Sequence, residues 1–157
     1  MSYAGAFSII LFKFHPGKHM IDYDIFRDTM ISNLGIEFLP PEDGIYRATM
    51  PVNSHSCQHM GVVCGGANLA LAEITAGYAS IHTLGEQSSS FAVGQQVSAN
   101  HIASAPLGSV LTASATALHL GRTSHVWSVD IADQNGRRIC AALVTNAVIR
   151  KPDAGSR

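Results

Sequence analysis

Glu73 is the residue whose type and setting most demand a chemical explanation. It lies within Gly61 to Leu84, a stretch that holds no other charged residue. A carboxylate on an apolar helix must find partners, shift its titration or be put to use. The bland alternative is a helix residue exposed at one edge, but the flanking residues offer no polar face for it to belong to. Upstream, Gly65-Gly66 falls where that helix should begin. Peptide N–H groups at a helix N-terminus lack intrahelical acceptors and favour negative charge. Glycine lets a ligand approach the backbone closely, so the pair could hold a carbonyl oxygen as it gains charge. A plain turn before a helix would carry the same glycines. Gln58, in the loop just before, offers a second donor.

These groups need elements to hold them. Ala67 to His82 lacks proline and is rich in Ala and Leu, which predicts the main helix. Its small residues Ala67, Ala70, Ala72, Ala76, Gly77 and Ala79 occur all round it, as in a buried helix. Before it, apolar spacing predicts a helix over Asp22–Leu34 stopped by Gly35. A strand is expected over Ile36–Leu39, a turn over Pro40–Gly44, and a second strand over Ile45–Val52 that forms a hairpin with the first. After Gly85–Ser90, strands are expected near Phe91–Ile102, Ser109–Leu118, Thr123–Ala132 and Arg138–Arg150. Asn135-Gly136 signals a tight hairpin with a two-residue loop. The class is α+β, antiparallel strands with one long central helix, and no repeat or interdomain linker is visible.

Bulk properties bound the function. The 157 residues suit one domain, and 46% apolar residues can fill its core. Only 13% are charged, well below the usual quarter, which points to surface buried in an oligomer. A net charge of −1 without a basic run gives no nucleic-acid footprint. Cys57, Cys64 and Cys140 are too few and too irregular for a disulfide framework or zinc site, and fit free thiols in a reducing, cytoplasmic setting. The dispersed histidines show no metal-ligand spacing. Phe7–Phe14 is too short to span a bilayer and lacks signal-peptide flanks. Residues 1–19 are read as an extension or cloning-derived leader before Met20, the domain as 20–151, and 152–157 as a disordered tail.

The run from Gln58 through Gly61, Cys64-Gly65-Gly66 and Leu71-Ala72-Glu73 resembles the signature Q-x-x-G-x-x-H-G-G-x-x-x-x-L-A-E of hotdog thioesterases that act on aryl-CoA substrates. Tyr46–Val52, Ala99-Asn100-His101, Leu118-His119-Leu120-Gly121 and Val126-Trp127 also look like this family, most of all its dihydroxynaphthoyl-CoA and siderophore-proofreading branch. The resemblance implies a six-stranded sheet wrapped round the long helix, a homodimer or homotetramer, and sites between subunits. It implies Glu73 as nucleophile or as base for water, the Gly65 N–H as carbonyl donor and Gln58 assisting it, with this Gln–Gly segment supplied by the partner of the subunit that supplies Glu73. Neither metal nor cofactor is required. Gly66, Met60, Gly77, His101 and Arg122 are the candidate substrate-binding positions, with Arg122 directed to the phosphates of coenzyme A.

Two positions depart from the family. Cys64 stands where the family has His, and Gly77, one turn after Glu73, where it has Ser or Thr; Thr75 points elsewhere. A thiolate at Cys64 would be favoured by the helix start, but no base can be assigned to it, and an inert buried thiol is the favoured reading. Besides hydrolysis of an acyl or aryl thioester of coenzyme A or of a carrier protein, two readings compete. A non-catalytic thioester-binding hotdog protein would not need Glu73. A dehydratase would need a His where Cys64 stands.

Overall fold

The structure is a computed structural model that describes residues 23–151; the leader expected over 1–19 and the tail over 152–157 lie outside the described residues. The expected helix over Asp22–Leu34 is broken. A 3-10 turn covers Tyr23–Phe26, and a single-turn helix, α1, covers Met30–Leu34. Between them Asp28 takes a left-handed φ of 59°, and the Thr29 hydroxyl donates back to the Phe26 carbonyl at 2.6 Å. Short polar side chains compete with the helical ladder in this way, and the apolar periodicity did not report it. Gly35 ends α1 in the left-handed conformation, with the Ile36 N–H returning to the Ile31 carbonyl at 2.9 Å.

The strands follow the sequence pattern. β1 (Glu37–Phe38) and β2 (Tyr46–Pro51) form the expected hairpin. Its turn centres on Asp43-Gly44, both with positive φ, the requirement of a type I′ turn. α2 covers Gly65–Leu84, and β3 (Ser90–His101), β4 (Val110–Leu120), β5 (Ser124–Asp133) and β6 (Arg138–Arg150) complete a sheet of order β1-β2-β4-β5-β6-β3. Every neighbouring pair is antiparallel, as the predicted α+β class requires. The β5–β6 connection is longer than a two-residue turn. The Asp133 N–H donates to the Arg137 carbonyl at 3.0 Å, and Gly136 supplies a φ of 79° in the wider loop. The Asp133 carboxylate accepts the Asn135 and Arg137 backbone N–H groups, at 2.9 and 3.0 Å. Burial would raise its titration point, but those bonds and the Arg137 guanidinium outweigh burial and hold it below the usual carboxylate range.

The core lies between one face of α2 and the concave side of the sheet. β5 alternates strictly, sending His125, Trp127, Val129, Ile131 and Asp133 inward. From α2 come Leu71, Ala72, Thr75, Ala76, Tyr78, Ala79 and Ser80. The helix is bolted by polar contacts as well as packed. The Trp127 indole N–H donates to Ser80 Oγ at 2.8 Å, and the Asn146 amide donates to Ser80 Oγ at 2.8 Å and to the Ala76 carbonyl at 3.0 Å. All four residues are buried, so losing one partner costs about 1–3 kcal/mol.

The helix is not buried on every face, which corrects the expectation. Gly66 and Glu73 are exposed, and Ala70 and Gly77 only half-buried. These positions recur every three or four residues and form one stripe. Small residues all round the helix were read as burial, whereas on this side they line open space. Among the described residues β3 is hydrogen-bonded to β6 alone and is a long, largely exposed edge strand.

His125 is 3% exposed, and among the described residues its Nδ1 has no hydrogen-bond partner. Burial, and then the nearby His119, push its titration below the ordinary value of 6.5. The folded state therefore keeps it neutral where the unfolded chain takes a proton. Its contribution to stability is full above the unfolded value and is lost as pH falls below it. His125→Gln should flatten this limb: melting temperature from pH 7.5 to 5 should fall less in the variant than in the wild type. An identical decline would show that other groups set the acid limb.

Candidate active site

The loop before α2 is pinned by its own hydrogen bonds. The Asn53 side chain accepts the His55 N–H at 2.9 Å, and buried Ser56 donates to the Pro51 carbonyl at 2.8 Å. The Gln58 N–H meets the Val62 carbonyl at 2.9 Å, the Gly61 N–H meets the Gln58 carbonyl at 3.0 Å, and the Cys64 N–H meets the Ser56 carbonyl at 2.8 Å. Gly61 makes the reversal possible with a φ of 74°. This small hairpin sets half-buried Gln58 beside the start of α2, while Met60 at its tip is 71% exposed. Cys64 is the N-cap residue and its side chain caps nothing. The N–H groups of the first turn therefore stay uncovered by the side chain that normally accepts from them. The thiol is half-buried rather than buried as expected.

Two expected residues meet here across a wide sequence separation. A Cβ on Gly65 would stand 2.8 Å from His101 Nε2, so the imidazole at the end of β3 lies against the first residue of α2. Its Nδ1 is 3.5 Å from the amide nitrogen of buried Asn68. Gly66, Ala67, Ala70, Cys64 and Cys57 line an open cleft of ≈ 680 Å³, closed on its far side by Met30, Asn33 and Leu34 of α1.

Glu73 occupies a second locus. Its side chain lies flat on the backbone of Gly94, where the carboxylate takes the place of a Cβ. β3 shifts register between Gly94 and Gln96, a bulge of the kind that re-aims an edge strand. The carboxylate is exposed within its own chain, so the expected burial in an apolar helix is absent. A Cβ on Gly77 would meet nothing within 4 Å, leaving open space one turn further on.

The two loci cannot serve one carbonyl group within a chain. Gly65 and Glu73 are eight residues apart on one continuous helix, about 12 Å along its axis. A donor to the carbonyl oxygen and a group attacking its carbon must both lie about 3 Å from the reacting atoms. Arg122, exposed in the β4–β5 hairpin, is further still from His101. The β6 partners of their strands, Ala147 and Cys140, are separated by seven residues, about 23 Å. Thus Cys64, Gly65, Gly66 and His101 meet at the helix start, with Gln58 on the small hairpin that precedes it; Glu73 and Gly77 form a neighbouring locus, and Arg122 and the tip of Met60 stand apart.

Sequence reasoning missed Asn68, Gly94 and the α1 wall of the cleft. Gly94 was findable, because a glycine inside a strand pattern marks a close approach or a bulge. Nothing local could pair Asn68 with His101, since the contact is made by the sheet topology. Gly94→Ala should displace the Glu73 carboxylate. If Glu73 acts on substrate, turnover should fall at least about tenfold with the melting temperature nearly kept, the effect of misplacing a group at a reacting centre. Unchanged turnover would show that the seat on Gly94 does not matter.

Comparison with known proteins agrees with this architecture. The family model described as the thioesterase superfamily matches residues 60–140. The 1,4-dihydroxy-2-naphthoyl-CoA hydrolase of Escherichia coli is 39% identical over 123 residues, covering 76% of this chain and 86% of the relative. A thioesterase structure from Haemophilus influenzae superposes with a TM-score of 0.78 at 32% identity, covering 85% of this chain and 91% of the other. A hypothetical thioesterase from Streptococcus pneumoniae, solved with coenzyme A, gives 0.64 at 30% identity over 74% of this chain and 91% of the other. The loop, helix and strands described above are those of a hotdog fold, and the chain belongs to the thioesterase superfamily.

Proposed function

We propose that the protein hydrolyses an acyl or aryl thioester of coenzyme A at a site shared between two copies of the chain. The observation that carries this is the pairing, on one rigid helix, of an uncovered N-terminus and an exposed carboxylate that are about 12 Å apart. The first suits a carbonyl oxygen and the second suits an attacking group, and a second copy, reversed relative to the first, can bring one of each to the same carbonyl. The long unpaired edge of β3, on which Glu73 rests, is a natural line of contact. The low charge content fits burial of that surface.

In this reading the Gly65 N–H of one copy polarises the thioester carbonyl, and Gln58 flanks it. Glu73 of the other copy attacks the carbonyl carbon, or removes a proton from the water that does. The tetrahedral oxyanion collapses, the C–S bond breaks, and the thiolate leaves with its electron pair and takes up a proton. Were Glu73 the nucleophile, water would then cleave the acyl–carboxylate anhydride. Coenzyme A is favoured over a carrier protein because one relative is named as a hydrolase of a coenzyme A thioester and one neighbour was solved with coenzyme A. The runner-up, a thioester-binding protein without turnover, is favoured only by Cys64 and Gly77 at the family's His and Ser/Thr positions.

A thiol-release assay over a panel of acyl-CoA and aryl-CoA esters tests the reading. Glu73→Gln should lower turnover on the best ester at least about 10²-fold, with substrate binding and fold kept. Turnover equal to wild type would sink the mechanism, and binding without hydrolysis by the wild type would install the runner-up. Light scattering should give a dimer or tetramer rather than a monomer near 17 kDa. Mixing inactive Glu73→Gln with a second inactive variant, Gly65→Ala, should restore part of the activity after subunit exchange, because mixed dimers carry one intact site. No recovery with exchange demonstrated would refute the shared site.

A further inference from the structure

We infer that His101, oriented by Asn68, is the second hydrogen-bond donor to the reacting carbonyl oxygen, beside the Gly65 N–H. This deepens the proposed function and rests on it. The imidazole faces the helix start through Nε2, the atom that a Gly65 Cβ would meet at 2.8 Å. Its other nitrogen is engaged from behind, because the Asn68 amide N–H donates toward Nδ1 over 3.5 Å. Asn68 is 2% exposed and its Oδ1 has no partner. The amide nitrogen, a donor only, is the atom that faces Nδ1; a rotated amide would turn Oδ1 to it and demand a proton on Nδ1 instead. With Nδ1 accepting, the proton of a neutral imidazole sits on Nε2. An imidazole N–H then stands next to the first peptide N–H of a 20-residue helix, and two such donors at one oxygen make an oxyanion hole.

The strand end that carries the imidazole is itself fixed. His101 pairs with Cys140 in register, and the Ile102 N–H donates to the Ile139 carbonyl at 2.8 Å. The titratable neighbours are Cys64 at the helix start and Cys140 on β6; burial, and then Asp130, push the Cys140 thiol up, so it stays uncharged near neutrality. Cys64 makes no capping bond, and the thiol there leaves the imidazole role at the helix start to the side chain arriving from β3. Gly65 must be glycine in this arrangement because a methyl group would push the ring off the N-terminus.

The tautomer is measurable without a substrate. Histidine ¹⁵N NMR on the full-length protein should show His101 protonated on Nε2; protonation on Nδ1 overturns the assignment. Kinetics then test the role on the best ester of the panel. His101→Ala should lower kcat about 10²-fold with KM little changed. His101→Gln, whose amide N–H reaches the Nε2 position, should recover most of that loss. Equal slowing in both variants marks mere packing, and kcat within about threefold of wild type in His101→Ala refutes a donor of this class. Asn68→Asp supplies a readout that packing would not move. A carboxylate at 68 accepts a hydrogen bond from Nδ1–H and so draws the proton of the neutral ring onto Nδ1, so that only the doubly protonated ring still donates from Nε2. Its kcat should then gain a limb that falls with rising pH, which the wild type lacks. A folded Asn68→Asp variant without that limb refutes the orienting role. If no ester is hydrolysed by the wild type, the proposed function fails, while the NMR result judges the His101–Asn68 pair separately.

Discussion

Along α2 a peptide N–H and a carboxylate are held apart by continuous helix, and neither can move toward the other. The 1.5 Å rise per residue places Glu73 about two turns beyond the N-terminus, and no rotamer of a glutamate side chain closes that gap. The two groups still share a face, because Gly66, Ala70, Glu73 and Gly77 recur at three- and four-residue steps. An acyl chain or a pantetheine arm laid along that face would run past small residues from one group to the other. The helix therefore acts as a ruler, and whatever chemistry it supports depends on a second surface that meets it. The proposed sharing of sites follows from this fixed length more than from any single contact.

What holds the ruler in rotation is a buried polar grip. Asn146 binds the Ala76 carbonyl and Ser80, and Trp127 shares the same hydroxyl. Asn146 also stands opposite Gly94 on β3 and opposite His125 on β5. The rung of the sheet that grips the helix is therefore the rung that offers the notch for Glu73. Apolar packing alone, with so many alanines on the buried face, would define the helix's axial position loosely. Hydrogen bonds to Ser80 define it by distance and direction. The bulge beyond Gly94 then turns the edge strand away and leaves the carboxylate uncovered.

Much of this was legible in the residues. The strands of the second half were readable from alternation and turn chemistry, and the helix from composition, because local pattern and global fold agree there. The uncovered helix N-terminus was readable from Gly65-Gly66, and Glu73 stood out by its isolation among apolar neighbours. Three things were not. Asp28 and Thr29 break the first helix through side-chain hydrogen bonds that periodicity does not encode. The exposure of Glu73 was misread because small residues look alike whether they fill a core or line a slot. The meeting of His101 with Gly65 and Asn68 depends on β3 lying beside β6 at the sheet edge, a crossover that pattern alone does not specify.

The exposure of Glu73 changes what its chemistry requires. In a dry site a carboxylate would lose its water shell on folding, and the fold would bear that cost. Here water reaches the carboxylate in the single chain, and Gly77 adds free space where a hydroxyl-bearing residue would have held it. In the proposed shared site, stripping that water would accompany assembly and substrate binding, with the energy drawn from contacts made at those steps. The same logic applies to the donors. Gly65 N–H and His101 are fixed in advance by the helix, the β3 end and Asn68, so they need no reordering when charge develops on the carbonyl oxygen. In the proposed shared site one half is thus preorganised by the chain itself, and the other half would become reactive only when a partner surface and a substrate exclude solvent from it. In the proposed shared site, a free protomer would hold the donors in place and still leave the attacking group in water, which would tie hydrolysis to the assembled form.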